Sequence, residues 1–251
     1  MDTTLTMLVH GDSGVGKSWL ADTCPAPRLI LDGEGRAQYT PSQPKVYWEP
    51  RSGPPPSADG TWSTCIAPVR DFETMAMAYR YFRAGQHHFK SIVVDSLMEV
   101  QKRCIDSIAG LAALDPQGYG TLLRHLEKIV RDYRDLTMIP SNAAKVIVFV
   151  NGTRERDGKY GLLLQGQLSD TLAYLLDVVG YYFLNPQPDG TFVRSLLVNK
   201  QPGFVAKDGT GKLVANYGSV IANPNIEEMV NLLHTNGKAE TVMPNEQEVS
   251  A

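Results

Sequence analysis

The chain has 251 residues, of which 43% are hydrophobic and 20% charged, the profile of a soluble globular protein long enough to bury one substantial core. Its formal net charge of −3 is uneven, with residues 224–251 contributing −4 and the rest +1, so the body is no general magnet for nucleic acid and any DNA-binding surface has to be local. No apolar run approaches the roughly 20 residues of a membrane span and no basic-then-apolar leader precedes the first strand, so a cytoplasmic protein without membrane contact is expected.

The first predicted strand, residues 4–10, runs directly into GDSGVGKS, Gly11 to Ser18. This is a complete P-loop pattern, G-x-x-x-x-G-K-[ST]. Its glycines let successive backbone N–H groups of Gly11, Asp12, Ser13, Gly14, Val15 and Gly16 turn inward around phosphate oxygens. Lys17 is expected to reach the β and γ phosphates, and Ser18 to offer a hydroxyl ligand to Mg²⁺. A helix over 17–23 follows, so its positive end, including the amide of Trp19, faces the same phosphates. A strand at 28–32 then ends at Asp32, and Glu34 sits in a glycine-flanked turn that can bring a carboxylate near the γ-phosphate. That placement suits a general base for water attack; an acidic turn whose Gly33 and Gly35 serve only positive φ is the competing reading.

Residues 41–68 carry seven prolines and, apart from a strand near 45–48, predict a long surface loop inserted in the sheet domain. Trp48 and Trp62 flank it; they either stack on a nucleobase or pin the loop to the body, the second being commoner. A helix at 71–84 leads to SIVVDSL, a buried strand over 91–95 whose terminal Asp95 has the Walker B form, a carboxylate beside the P-loop holding water on Mg²⁺. Helices follow at 97–112 and 120–137. The second turns Arg124, Lys128, Arg131 and Arg134 outward, a face more often solvated than bound to nucleic acid. Strands at 145–150, 178–184 and 192–199 and helices at 169–175 and 225–234 complete an alternating α/β pattern, with helices expected on both sheet faces. Cys24, Cys65 and Cys104 lie far apart and read as buried thiols, not as a zinc site or disulfide framework. The polar, acidic segment 237–251 reads as a disordered tail to a core of residues 1–236.

LDGEGR, residues 31–36, resembles the glutamate-bearing turn of RecA recombinases, and SIVVDSL resembles their Walker B strand. VIVFVNGTRERDGKYG, residues 146–161, is similar to the strand and flexible DNA-binding loop that follow. Roughly residues 4–205 are covered, and the chain looks most like the core-only RecA-like single-strand annealing proteins of bacteriophages. The resemblance implies a mainly parallel twisted sheet with an antiparallel extension towards the C-terminus, and an ATPase using ATP and Mg²⁺. Glu34 would be the hydrolytic base, Lys17 and Ser18 the phosphate and magnesium contacts, Asp95 the further magnesium ligand, and Asn151 the end of the sensor strand. Arg154, Arg156 and Lys159 would clamp single-stranded DNA from a loop at 152–160. Tyr119 would stack from a second loop at 108–119.

Lys200, or failing that Lys207, would act on the ATP of a neighbouring subunit, which implies a homo-oligomer with ATP between protomers; surface lysines at a strand end are the alternative. Gly152 stands where RecA proteins carry a glutamine that relays γ-phosphate state, so that switch is expected to be absent or differently built. The first strand lies close to Met1 and the chain ends soon after the core. Single-strand binding and annealing are therefore expected ahead of homologous pairing into duplex DNA, which stays open. The acidic tail either competes with DNA, engages a single-strand-binding protein or simply solubilises. A nucleotide-gated module regulating a protein partner is the alternative function.

Overall fold

The computed structural model describes residues 4–235; the expected acidic tail lies outside them. In chain order it contains β1 (Leu5–Gly11), α1 (Lys17–Ala21), β2 (Arg28–Asp32), β3 (Lys45–Tyr47), β4 (Thr64–Pro68), α2 (Phe72–Arg83), β5 (Ser91–Asp95), α3 (Leu97–Ala109) and α4 (Pro116–Asp135). The second half contains β6 (Val146–Arg156), β7 (Lys159–Leu162), α5 (Leu168–Leu175), β8 (Val178–Pro186), β9 (Phe192–Leu197), β10 (Lys207–Asp208), α6 (Lys212–Tyr217), β11 (Val220–Ala222) and α7 (Ile226–His234).

The path through the sheet is β11-β9-β8-β1-β6-β5-β2-β4-β3, with β10 on β8 and β7 on β6. From β8 to β3 every neighbour is parallel, whereas β9, β10 and β11 join by antiparallel ladders. Parallel strands are covered on both faces, and β1, β2 and β5 are accordingly buried along their whole length. Alternation along β1 sends Leu8 into a core with Met75, Val100, Leu126 and Leu172 of α2 to α5, while Met7 and Val9 meet Leu20, Leu213 and Met229 of α1, α6 and α7. This is an α/β architecture built on a mainly parallel sheet with helices on both faces and the expected antiparallel extension.

Three sequence expectations change. Residues 41–68 are not one long loop: besides β3 they contain β4, which lies between β2 and β3 and buries Thr64 to Ala67. The irregular part is residues 48–63, pinned by Trp48 and Trp62, only 5% and 7% exposed. Their indole N–H groups donate to Gly53 O at 3.0 Å and Ser57 O at 3.1 Å, so neither ring is free to stack on a base.

The expected flexible loop after Asn151 is instead a hairpin, β6–β7, pairing Arg154 with Gly161 and Arg156 with Lys159. Its two-residue turn is Asp157-Gly158 with φ of 54° and 72°, the left-handed pair that a twisted two-residue hairpin requires and that Asp-Gly supplies. The expected loop 108–119 is helix at both ends, since α3 continues to Ala109 and α4 starts at Pro116, capped by Asp115 Oδ1 accepting from the Gly118 N–H at 2.6 Å.

Candidate functional site

The P-loop closes the carboxyl end of β1. A Cβ on Gly11 would stand 2.2 Å from the Tyr182 carbonyl of β8, and Gly16 caps α1 at φ 99°, so one glycine answers close approach and the other a left-handed backbone. Lys17 Nζ donates to the Gly11 and Asp12 carbonyls at 2.9 and 2.7 Å. Burial lowers the affinity of its amine for the proton, against the pull of Asp95, Glu34 and Asp12.

Asp95 ends β5 beside Asp32 of β2 in the parallel register. Its carboxyl is pushed up to about 6, first by burial and further by Glu34 and Asp32, while a hydrogen bond from the Ser18 hydroxyl and the charge of Lys17 oppose the rise. Asp32 instead organises backbone. Its Oδ1 accepts from the N–H of Glu34, Gly35 and Arg36 at 3.1, 2.8 and 3.3 Å, and Oδ2 from that of Ala37 at 3.0 Å. It therefore shapes the turn that carries Glu34. Of the two glycines there, Gly35 meets the φ demand at 73°, whereas Gly33 is required by contact, because a Cβ would lie 2.9 Å from Glu99 Cβ. Glu34 itself is exposed towards the cleft and Oε1 accepts from Ser96 Oγ at 2.9 Å.

These groups line one cleft of about 910 Å³ that brings together Gly11, Asp12, Ser13, Gly14, Gly16, Lys17, Ser18, Trp19, Glu34 and Asp95. Val15 and Asn151 lie behind its wall, both buried. Asn151 Nδ2 donates to the Gly152 carbonyl at 2.9 Å while its buried Oδ1 has no partner among the described residues. Arg154, Arg156, Lys159, Lys200 and Tyr119 are outside this cleft. The first three line a second one, of about 510 Å³, under the hairpin. Tyr119 is exposed in the first turn of α4 and lines neither. Lys200 is exposed, whereas Lys207 sits in the β10 ladder opposite Val179, near Asp177 and the strand end remote from the P-loop. Three of the four outward cations of α4 are neutralised locally, Lys128 by Asp132, Arg131 by Glu127 and Arg134 by Asp135, while Arg124 Nε donates to the Gly120 carbonyl at 3.3 Å.

Several cleft residues carried no expectation. Ser96, next to Asp95 in sequence, holds Glu34; Arg103 of α3 reaches the same end of the cleft with an Nε buried and unpartnered among the described residues. Thr153 lines the cleft as the first rung of the hairpin, and its hydroxyl meets Nδ1 of buried His10 at 2.8 Å. His10 Nε2 lies 2.7 Å from the Val205 carbonyl. A carbonyl only accepts, so Nε2 carries the proton and Nδ1 accepts from Thr153. Burial holds the ring's pKa down to about 4, which leaves it neutral in that role. Arg194 of β9 covers the outer side of the P-loop, its Nε donating to the Val15 carbonyl at 3.2 Å.

The glycine cradle, the lysine within it and the Ser18–Asp95 pair fit a nucleoside triphosphate with Mg²⁺. Among the described residues no three His, Cys, Asp or Glu side chains form a metal cage. Ser18 and Asp95 would thus hold the ion together with phosphate oxygens, where it supplies charge neutralisation of the phosphates.

Comparison with known families decides the class: the family model described as AAA domain (AAA_24) matches residues 3–210. The chain belongs to this AAA-domain family. As an AAA-type P-loop ATPase domain it carries the whole cleft, the hairpin and β8–β9 within the matched span. No curated protein matches it. Among solved structures it is similar to a prototypical ATPase from the type III secretion system of pathogenic bacteria, at 14% identity and a TM-score of 0.46, over 72% of this chain and 52% of that one. The AAA domain thus spans about half the length of that protein. No helix among its described residues is long and apolar enough to cross a membrane.

Proposed function

We propose that this AAA-type domain is a Mg²⁺-dependent ATPase that binds single-stranded DNA through the β6–β7 hairpin and promotes annealing or recombination, in the manner of the phage proteins it resembles. The observation that carries this reading is continuity: β6 passes from the cleft wall at Gly152 and Thr153 straight into a hairpin bearing Arg154, Arg156 and Lys159. Of these, only Arg156 has a carboxylate within 4 Å among the described residues, the exposed neighbour Asp157 at 3.7 Å. Such cations track a phosphate backbone without reading sequence.

In hydrolysis the P-loop amides and Lys17 hold the β and γ phosphates. Glu34, steadied by Ser96, accepts the proton of the attacking water as its oxygen bonds to the γ-phosphorus and the bond to the β–γ bridging oxygen breaks. Gly152 supplies no side-chain amide to sense the result. Thr153 lines the cleft, opens the hairpin and is bonded to His10, so it is the residue placed to substitute.

Anisotropy of a labelled oligonucleotide tests the hairpin. Arg154→Ala with Arg156→Ala should weaken binding and flatten the log–log salt dependence by about 1.4, since each single-strand phosphate contact contributes about 0.7; unchanged affinity and slope would remove the assignment. Gly152 also favours a second reading, a nucleotide-gated module acting on a protein partner. That reading requires Glu34→Gln to leave phosphate release nearly unaltered.

A further inference from the structure

The reaction end of the cleft is defined on one side of β1, where β5 and β2 present Asp95 and Glu34. Sheet order places β8 and β9 on the other side. Arg194, opposite Leu184 in the β8–β9 register, extends from there over the P-loop. Its guanidinium carbon lies 5.5 Å from the centroid of the Trp19 ring, within the range in which a cation is held by an aromatic face.

Gly16 makes room for this arm: a Cβ there would come within 2.9 Å of Arg194 Nε. No carboxylate of the described residues lies within 4 Å of the guanidinium, and both partners stay in contact with solvent, Trp19 being 50% exposed. An indole left half open beside a guanidinium without a carboxylate partner, both lining the P-loop cleft, presents a free flat surface on which a planar group can stack.

We infer that Arg194 and Trp19 form the platform for the nucleobase of the bound nucleoside triphosphate. A triphosphate whose reacting end lies between Lys17 and Glu34 leads its nucleoside towards β8–β9. One face of the guanidinium rests near the indole, and the pair offers a flat, cationic surface to a purine. The platform recognises a base by its π-face, which every base has, so it discriminates poorly between adenine and guanine while separating nucleotides from bare phosphate chains. Arg194 is thus a positioning and specificity residue. This inference rests on the ATPase reading of the cleft.

Equilibrium titration of the full chain with ATP, GTP and inorganic tripolyphosphate, each with Mg²⁺, tests it. Wild type should bind ATP and GTP within about fivefold of each other, and ATP but not tripolyphosphate should quench the fluorescence of Trp19, a signal absent in Trp19→Phe. Arg194→Ala should weaken both nucleotides about tenfold and leave tripolyphosphate affinity unchanged, which also certifies that the P-loop is folded. Arg194→Lys should behave like Arg194→Ala, because an ammonium keeps the charge and lacks the plane.

Parallel loss of tripolyphosphate binding would make Arg194 a phosphate contact and overturn the platform. Nucleotide affinity unmoved by Arg194→Ala would overturn it as well. Wild type that binds neither nucleotide would bring down the ATPase reading itself, a result distinct from wild-type binding that the substitution leaves untouched.

Discussion

Asp95 sets function against stability. Its carboxyl, raised to about 6 from the ordinary 3.8, keeps its proton longer in the folded chain than in the unfolded one. Between those values the native state binds more protons, so stability falls as pH rises through that window, and the cost is complete above about pH 6. Asp95→Asn should therefore raise stability at pH 7.5 by about 1–3 kcal/mol, lose that advantage below pH 4, and abolish Mg²⁺-dependent hydrolysis. Thermal melts at the two pH values, beside a phosphate-release assay, check all three; a lower melting temperature at pH 7.5 would show that the charged carboxylate is satisfied by its neighbours. Lys17, Ser18, Glu34 and Asp95 are legible in the sequence because each lies in a local pattern whose chemistry dictates spacing. Ser96 was available to the same reading, adjacent to Asp95 and able to donate. Arg194 and Thr153 were not, because their importance arises only where β9 and β6 are brought against the P-loop, and an arginine in FVRSLL reads only as an outward strand residue.

At the scale of elements, propensity and tertiary placement disagree in instructive places. The prolines between 41 and 68 concealed β4, whose four leading residues are wholly buried between two parallel neighbours, and a short buried strand has no alternation to betray it. The hairpin carries its own signal, Asp-Gly between Arg156 and Lys159, the dipeptide that closes two-residue turns and orders residues 152–160 where a flexible loop is expected. The order of that hairpin has a consequence, since cations on paired strands are held at fixed spacing and spend less entropy on a phosphate backbone than cations on a mobile loop. The segment 48–63 holds its place through its tryptophans: Trp48 packs on Tyr81, Phe82 and Phe89 with ring centroids 5.7, 5.9 and 6.5 Å away. Trp48→Ala should cost about 3–5 kcal/mol, read by urea unfolding. A loss below about 1 kcal/mol would mean that the loop is dispensable to the core.

For the molecule as a whole, the sheet order joins two sites with one strand. β1 carries the P-loop and, one residue before it, His10; β6 beside it carries the cleft wall and then the hairpin. His10 bridges Thr153 and Val205, and Tyr160 of the hairpin exchanges backbone hydrogen bonds with the 203–205 segment, at 2.7 Å from its N–H to the Gly203 carbonyl and 3.0 Å from the Val205 N–H to its own. The alternating α/β pattern made a sheet with helices on both faces readable from sequence, whereas the antiparallel edge was implied only by the family resemblance. Assembly is not readable, because a neighbour's contribution to a site leaves no local pattern, and Lys200 is exposed as either a trans-acting cation or an ordinary surface lysine would be. The most direct measurement is phosphate release from ATP and Mg²⁺ at low salt, with and without a long single-stranded oligonucleotide, for wild type, Lys17→Ala and Glu34→Gln. Stimulation by the DNA that vanishes in both variants is the expected result; hydrolysis indifferent to DNA, or unaffected by Glu34→Gln, would contradict it.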